Sequence, residues 1–494
     1  MDISQIETLR RLPVAPARHV IDGALHDASD GQVMQVVSPI NGQSLTTLPR
    51  GTDADAQAAI TSARCAFDDG RWSERSPAER KKVLLKWADL IEAQALELAV
   101  LGVRENGTEI AMALKAEPLS AVATIRYYAE AIDKLYGEIA PTAPGTLGLV
   151  HREPAGVVGA IVPWNFPLMI GAWKLGPALA AGCSVVLKPA ETASLTLLRI
   201  AELALDAGLP PGVLNVVTGE GGTVGAAIAE SMDVDVLVFT GSGATGRRLL
   251  EASARSNLKR VYLELGGKSP NVVFADAPNL DEAVKVTANG IFRNSGQVCI
   301  AGTRLLVERS IHDVFVEKLK TFSEAMTVGD PLDPATTAGA VNSQRQLQQN
   351  LEFVAEARAA GRKIVTGGTQ ILQDTGGYYM APTIVTGVQP TDRLAQHEVF
   401  GPVLAVQPFD SEDEAVTLAN GTDYGLAAAV WTSNLSRAHR MVRRIRAGIV
   451  HVNTYGGSDL TVPLGGVGQS GNGHDKSLHA FDKYLDLKTA WFKL

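Results

Sequence analysis

Leu263-Glu264-Leu265-Gly266-Gly267-Lys268-Ser269-Pro270 and, downstream, Phe292-Arg293-Asn294-Ser295-Gly296-Gln297-Val298-Cys299 are the stretches on which the reading of this chain turns. The first presents a carboxylate and the second a thiol, each close to glycine, which lets backbone turn tightly and approach a ligand. A thiolate that adds to an electrophilic carbon, with a carboxylate that takes a proton from water, is the pair a covalent two-step mechanism requires. Spacing alone does not establish that chemistry.

The wording at both ends closely resembles the aldehyde dehydrogenase superfamily. Five further matches follow in that family's order: Pro163-Trp164-Asn165-Phe166-Pro167, Lys188-Pro189-Ala190-Glu191, Phe239-Thr240-Gly241-Ser242, Glu398-Val399-Phe400-Gly401-Pro402 and Pro463-Leu464-Gly465-Gly466. The resemblance implies an α/β protein with a Rossmann-like NAD-binding domain (1–131 and 152–262), a second α/β catalytic domain (263–462) and a small β oligomerisation element (132–151 and 478–494). It also implies NAD as cofactor, with NADP not excluded, an aldehyde as substrate, and a homodimer or homotetramer.

Periodicity supports the same architecture independently. Residues 157–162, 184–187, 213–217 and 234–239 are apolar runs of strand length, with helical patterns at 192–207 and 223–231 between them. That alternation predicts a parallel sheet covered by helices on both faces, with a nucleotide at the carboxyl ends of the strands. Helices are predicted from Thr52 and from Ser76-Pro77-Ala78-Glu79, continuing through Glu105, and again over 120–136. Further strands are expected near 33–37, 271–274 and 303–307, and further helices near 311–326 and 342–359. The tail 485–491 alternates partially, which suits an added strand, either accompanying an intersubunit hairpin or lying within its own monomer.

Composition excludes several other classes. The 494 residues are too many for one core, 46% hydrophobic and 20% charged residues are ordinary for a globular protein, and a net charge of −8 disfavours nucleic acid and anionic membrane. Cys65, Cys183 and Cys299 form no C-x-x-C pair, so neither disulfides nor a thiolate metal site is expected, and a reducing cytoplasmic setting fits. The acidic N-terminus shows no secretory h-region. Residues 155–173 carry no formal charge, but Pro163, Asn165 and Pro167 interrupt them, so a strand, turn and helix are expected rather than a membrane span.

Gly241-Ser242-Gly243-Ala244-Thr245-Gly246 follows a predicted strand and opens a helix, the context of a dinucleotide fingerprint. The spacing rule alone would make Glu264 the ribose ligand. The resemblance instead gives that role to Glu191, and only Gly241, Ser242 and Gly246 match the family's turn. Around the cofactor it places Ile161, Pro163, Trp164, Lys188, Glu191, Gly221, Gly225, Phe239, Leu265, Glu398 and Phe400 as well. Glu398 is the expected nicotinamide-ribose ligand, and Glu191 favours NAD because its charge repels a 2′-phosphate.

For the chemistry, the resemblance makes Cys299 the nucleophile, with its thiol pKa lowered toward neutrality by a helix N-terminus or the cofactor ring. Asn165 is the oxyanion donor, Glu264 the base that activates water, and Lys174 and Asp475 occupy proton-relay positions, where surface charge is the alternative. Glu264 also argues against transfer of the acyl group to coenzyme A. A catalytically silent binding member of the fold is the other alternative, disfavoured because Asn165, Glu264 and Cys299 are all present.

Around the substrate stand Phe166, Trp173, Arg293, Val298, Ser458 and Asp459. The tail most resembles gamma-glutamyl-gamma-aminobutyraldehyde dehydrogenases. Arg293 matches an arginine by which succinate-semialdehyde dehydrogenases grip a carboxylate, but Trp173 stands in place of its partner. A polar or bulky aldehyde is expected, with a distal carboxylate held by Arg293 as one form of it.

Overall fold

The computed structural model describes residues 3–457 and 459–494. Ser458, expected to contact substrate, lies outside the described residues.

Two seven-stranded sheets organise the chain. The first has the spatial order Arg260–Leu265, Val236–Gly241, Val157–Ile161, Ser184–Lys188, Leu214–Val216, His19–Ile21, Ala24–His26; its first five strands are parallel and the last two antiparallel. Alternate side chains enter different cores: Val158, Ala160, Val185 and Leu187 one, Val157, Ile161 and Val186 the other. Strands buried on both faces read as continuous apolar runs, which is why these were legible. The strand order reverses between Val157–Ile161 and Val236–Gly241, and a crevice opens at their carboxyl ends.

The second sheet runs Lys363–Thr366, Thr383–Thr386, Val403–Phe409, Arg304–Glu308, Pro270–Val273, Ala427–Trp431, Ile449–Val452, parallel except at the first strand. Helix starts follow their caps. Thr52 and Asp55 make a reciprocal capping box for Asp53–Asp68, and Ser76 and Glu79 make one for Pro77–Ala93.

Three expectations need correction. Glu264 does not open the second unit; it lies in the edge strand of the first sheet, paired with Val236–Gly241, so the boundary at 263 cuts a strand. The predicted helix 120–136 occupies Pro118–Ala131 and ends in a single tighter turn, Ile132–Lys134. As expected, the tail Leu485–Lys493 accompanies the hairpin, pairing antiparallel along all nine residues with its strand Thr146–Pro154 to form a small outlying sheet. Residues 478–484 belong with the first core rather than with this outlying sheet, because Phe481 and Tyr484 are buried there and Phe481 meets Tyr128 edge-on at 5.3 Å.

Candidate active site

The crevice of the first sheet widens into a cavity of about 660 Å³ lined by Pro163, Trp164, Asn165, Gly241, Ser242, Leu265, Cys299, Glu398 and Phe400, among others. Its floor is a strand-to-helix turn. A Cβ at Gly241 would run into the Phe239 ring, and Ser242 caps the helix Gly243–Arg255 by accepting the Thr245 N–H at 3.3 Å. The start of that helix lines the cavity, offering backbone N–H groups to an anion. Gly246 packs against Leu265, where a Cβ would lie 3.0 Å from Cδ2. Trp164 and Phe400 meet edge-on at 5.2 Å.

The remaining predicted cofactor residues cluster at the next strand ends. Ile161 and Lys188 are register partners, and Gly225 stands against Ile161. Glu191 Oε1 accepts from Lys188 Nζ at 2.9 Å and from the Gly221 N–H at 2.8 Å. Burial acts to raise its pKa, but Lys188 and these hydrogen bonds outweigh it and hold the carboxyl below the ordinary value, so it is an anion. A glycine turn, a helix start and a carboxylate ready for hydroxyl groups fit a dinucleotide.

A second cavity, of about 560 Å³, lies on the other side of the loop that carries Cys299. Cys299 lines the first cavity while Val298 and Ile300 line the second; likewise Asn165 lines the first and Phe166 the second. Two segments therefore form the wall between the cavities, each pointing adjacent side chains to opposite sides. The Cys299 loop is held in an unusual conformation, with Asn294 and Ser295 both at φ 49° and Gly296 at φ 70°, where a Cβ would collide with the Gly401 carbonyl. Asn165 Nδ2 donates to the Gln297 carbonyl at 2.9 Å and has a second N–H for another acceptor.

Burial pushes the Cys299 thiol up to about 12, helped by the charges of Glu398 and Glu264. Desolvation disfavours the thiolate, and both neighbouring carboxylates act in the same direction. Glu398 is half-buried, commits Oε1 to the Gly267 N–H at 3.0 Å, and is pushed up to about 7 by desolvation.

Glu264 is buried, and its Oε1 has no hydrogen-bond partner. Desolvation and then Asp475 raise its pKa well above the ordinary carboxyl value, against the opposing charges of Lys174 and Lys483. Lys174 and Asp475 are not surface charges: they are buried and paired at 2.5 Å, and Lys483 holds the other Asp475 oxygen at 2.5 Å. Lys483 was missed in sequence because nothing local marks a lysine eight residues beyond its partner as buried.

The second cavity gathers Phe166, Trp173, Arg293 and Val298 as expected, and adds Met112, Lys115, Tyr455, Leu460 and Lys476, which sequence reasoning did not single out as lining residues. Asp459 does not reach it; its carboxylate accepts from the Thr461 N–H and hydroxyl at 2.9 and 2.7 Å, closing its own exposed turn. Arg293 reaches the cavity wall already engaged, with Nε donating to Glu109 Oε1 at 3.0 Å. Among the described residues, no His, Cys, Asp and Glu cluster suits a metal ion and no helix is long and apolar enough to cross a membrane.

Comparison with known proteins agrees with this geometry. The pattern of the aldehyde dehydrogenase family matches residues 26–490. The chain is 50% identical over 477 residues to the NADP/NAD-dependent aldehyde dehydrogenase PuuC of Escherichia coli, covering 97% of this chain and 96% of that one. Its fold superposes with a TM-score of 0.98 on an indole-3-acetaldehyde dehydrogenase complexed with NAD+, at 50% identity and covering 100% of both chains. It superposes with a TM-score of 0.97 on a gamma-glutamyl-gamma-aminobutyraldehyde dehydrogenase from Burkholderia cenocepacia, at 48% identity and again covering 100% of both. The chain belongs to the aldehyde dehydrogenase family and is an NAD(P)-dependent oxidoreductase.

Proposed function

We propose that this enzyme oxidises a bulky aldehyde with a polar far end to its carboxylic acid, through a thiohemiacetal and then a thioester on Cys299. The observation that carries the hydrolytic half is Glu264, a buried carboxyl with an unpartnered oxygen whose charge is felt at Cys299. NAD(P)+, which Gly241, Ser242, Glu191 and Glu398 would hold in the cleft that Cys299 lines, would supply a positive charge that favours the thiolate and the acceptor for the hydride.

The chain's own groups do the rest. Cys299 Sγ bonds to the aldehyde carbon, and the free N–H of Asn165 Nδ2 donates to the oxygen that becomes negative. Once hydride has left, Glu264 takes a proton from water as it attacks the thioester, and the sulfur departs as thiolate. Lys174, Asp475 and Lys483 surround that base with opposite charges and tune its proton affinity. Because its pKa is raised, Glu264 is a competent base only as pH rises, so hydrolysis speeds up toward alkaline pH.

Glu191, held as an anion, favours NAD over NADP. The aldehyde cavity is walled by Phe166, Met169, Trp173 and Leu464 and carries Lys115 and Lys476, which suits a large substrate with a polar end. Exposed Tyr136, Ile139, Leu487, Trp491 and Phe492 around the hairpin and tail offer a face to a second copy, in keeping with a homo-oligomer. Three free cysteines accord with a reducing cytoplasm.

Rapid mixing of aldehyde, NAD+ and enzyme tests the scheme. Glu264→Gln is expected to release about one equivalent of NADH in a fast burst and then to turn over roughly a thousandfold more slowly than wild type. An unaltered steady state, or wild-type turnover that depends on coenzyme A, would overturn hydrolysis by Glu264.

A further inference from the structure

We propose that Glu109 sets the charge Arg293 shows the substrate at its end of the aldehyde cavity, by pairing with it, and so turns the enzyme away from short carboxylated aldehydes. The inference rests on the aldehyde oxidation proposed above.

Glu109 lies between the helices Ala95–Asn106 and Ile110–Ala116 and does not line the cavity, whereas Arg293 does. Its side chain is wholly buried, whereas that of Arg293 is 34% exposed. One carboxylate oxygen accepts from Arg293 Nε at 3.0 Å and the other from the Asn294 N–H at 3.1 Å. The adjacent Thr108 hydroxyl donates to Asn294 Oδ1 at 2.8 Å. Arg293 therefore does not enter the cavity as a lone cation: it is paired with a carboxyl shielded from water, whose pKa burial raises and Arg293 pulls back down.

Among the described residues its two terminal nitrogens meet no hydrogen-bond acceptor, and they still carry N–H groups. Such a pair donates to neutral acceptors, an amide or a carbonyl on the far end of the substrate, but offers a carboxylate little net attraction. The arginine that by itself suggests carboxylate recognition becomes a neutral hydrogen-bond donor once its partner is counted. Glu109 is a positioning and specificity residue acting through Arg293, and it also steadies the left-handed turn that leads to Cys299.

Glu109→Gln removes the charge while keeping an oxygen for Arg293 Nε or the Asn294 N–H. The readout is the ratio of kcat/KM for 4-oxobutanoate to that for pentanal. Glu109→Gln is expected to raise this ratio about tenfold, the size of one uncompensated charge acting through a protein-like dielectric. Arg293→Met is expected to leave the ratio within about twofold of wild type, because it removes a charge already cancelled and leaves a buried carboxyl prone to stay protonated. The double variant is expected to show no gain.

A merely structural role would lower both substrates together. An equal change for both in Glu109→Gln, or a gain that persists in the double variant, overturns the inference. So does a roughly tenfold loss of the ratio in Arg293→Met, which decides the matter even if Glu109→Gln does not fold. A wild type that oxidises neither aldehyde with NAD+ would instead overturn the underlying reading.

Discussion

The cofactor cleft and the aldehyde cavity meet at one wall yet are built by opposite means. The cleft is framed by strand ends and by backbone: the turn at Gly241, the start of the helix Gly243–Arg255, and the Gly221 N–H held by Glu191. The aldehyde cavity is framed by side chains from separate helices, Met112 and Lys115 from one, Phe166 and Trp173 at and within another, Val286 and Asn289 from a third, together with a loop around Tyr455. Backbone frames cannot be altered one atom at a time. Side-chain frames can, so the cavity can change its substrate while the cleft keeps its chemistry.

The comparison breaks most sharply at the shared wall. Cys299→Ala is expected to lower kcat by roughly a millionfold, as loss of a nucleophile does elsewhere. NAD+ binding, followed by fluorescence titration, should stay within about threefold of wild type. Loss of cofactor affinity on the same scale as activity would mean that the two cavities are not separable.

One step smaller, Trp173→Ala opens the aldehyde side alone. We expect the preference for aryl over short aliphatic aldehydes to shift about tenfold, with KM for NAD+ unaltered. A change in the cofactor KM as large as the change in preference would show that the cavity wall also holds the cleft.

The smallest effect lies behind both regions, where two buried carboxyls meet the first turns of helices. Glu117 Oε2 accepts the Met169 N–H at the start of Pro167–Ala181, and Glu105 accepts the Ser194 and Leu195 N–H groups at the start of Leu195–Ala207. Burial pushes Glu117 up to about 8 and Glu105 up to about 7. The folded state therefore keeps protons that the unfolded chain releases above pH 4.5. The stability these two groups add is complete below that value and is lost as pH climbs through 7 and 8. Each proton contributes a slope of at most about 1.4 kcal/mol per pH unit. The thermal midpoint should fall between pH 6 and 8.5, and Glu117→Gln should flatten the fall; an unchanged slope in that variant would refute the assignment.

The same contrast explains what could be read from the sequence. Strands at 157, 184 and 236 announce themselves because both faces are buried, and the glycine turn at 241 follows because only a particular backbone satisfies it. Residues of the cleft and of the thiol loop were recognisable as short contiguous words for the same reason. Asp459 was misplaced because its neighbours line the cavity while it closes its own turn. Glu109 and Lys483 left no local mark: one is defined by an arginine 184 positions on, the other by burial against Asp475.

The order of synthesis gives the carboxy-terminal segment a further consequence. Every strand of the cofactor cleft and the thiol itself precede Asp475 and Lys483, which adjoin the strand Leu485–Lys493 that closes against residues far upstream. A ribosome-bound chain can thus display its sulfur before the charges that govern Glu264 have been made. A chain stalled or clipped short of that segment lacks both Phe481 and Tyr484 from the first core and the charges around Glu264, so packing and charge setting are completed together.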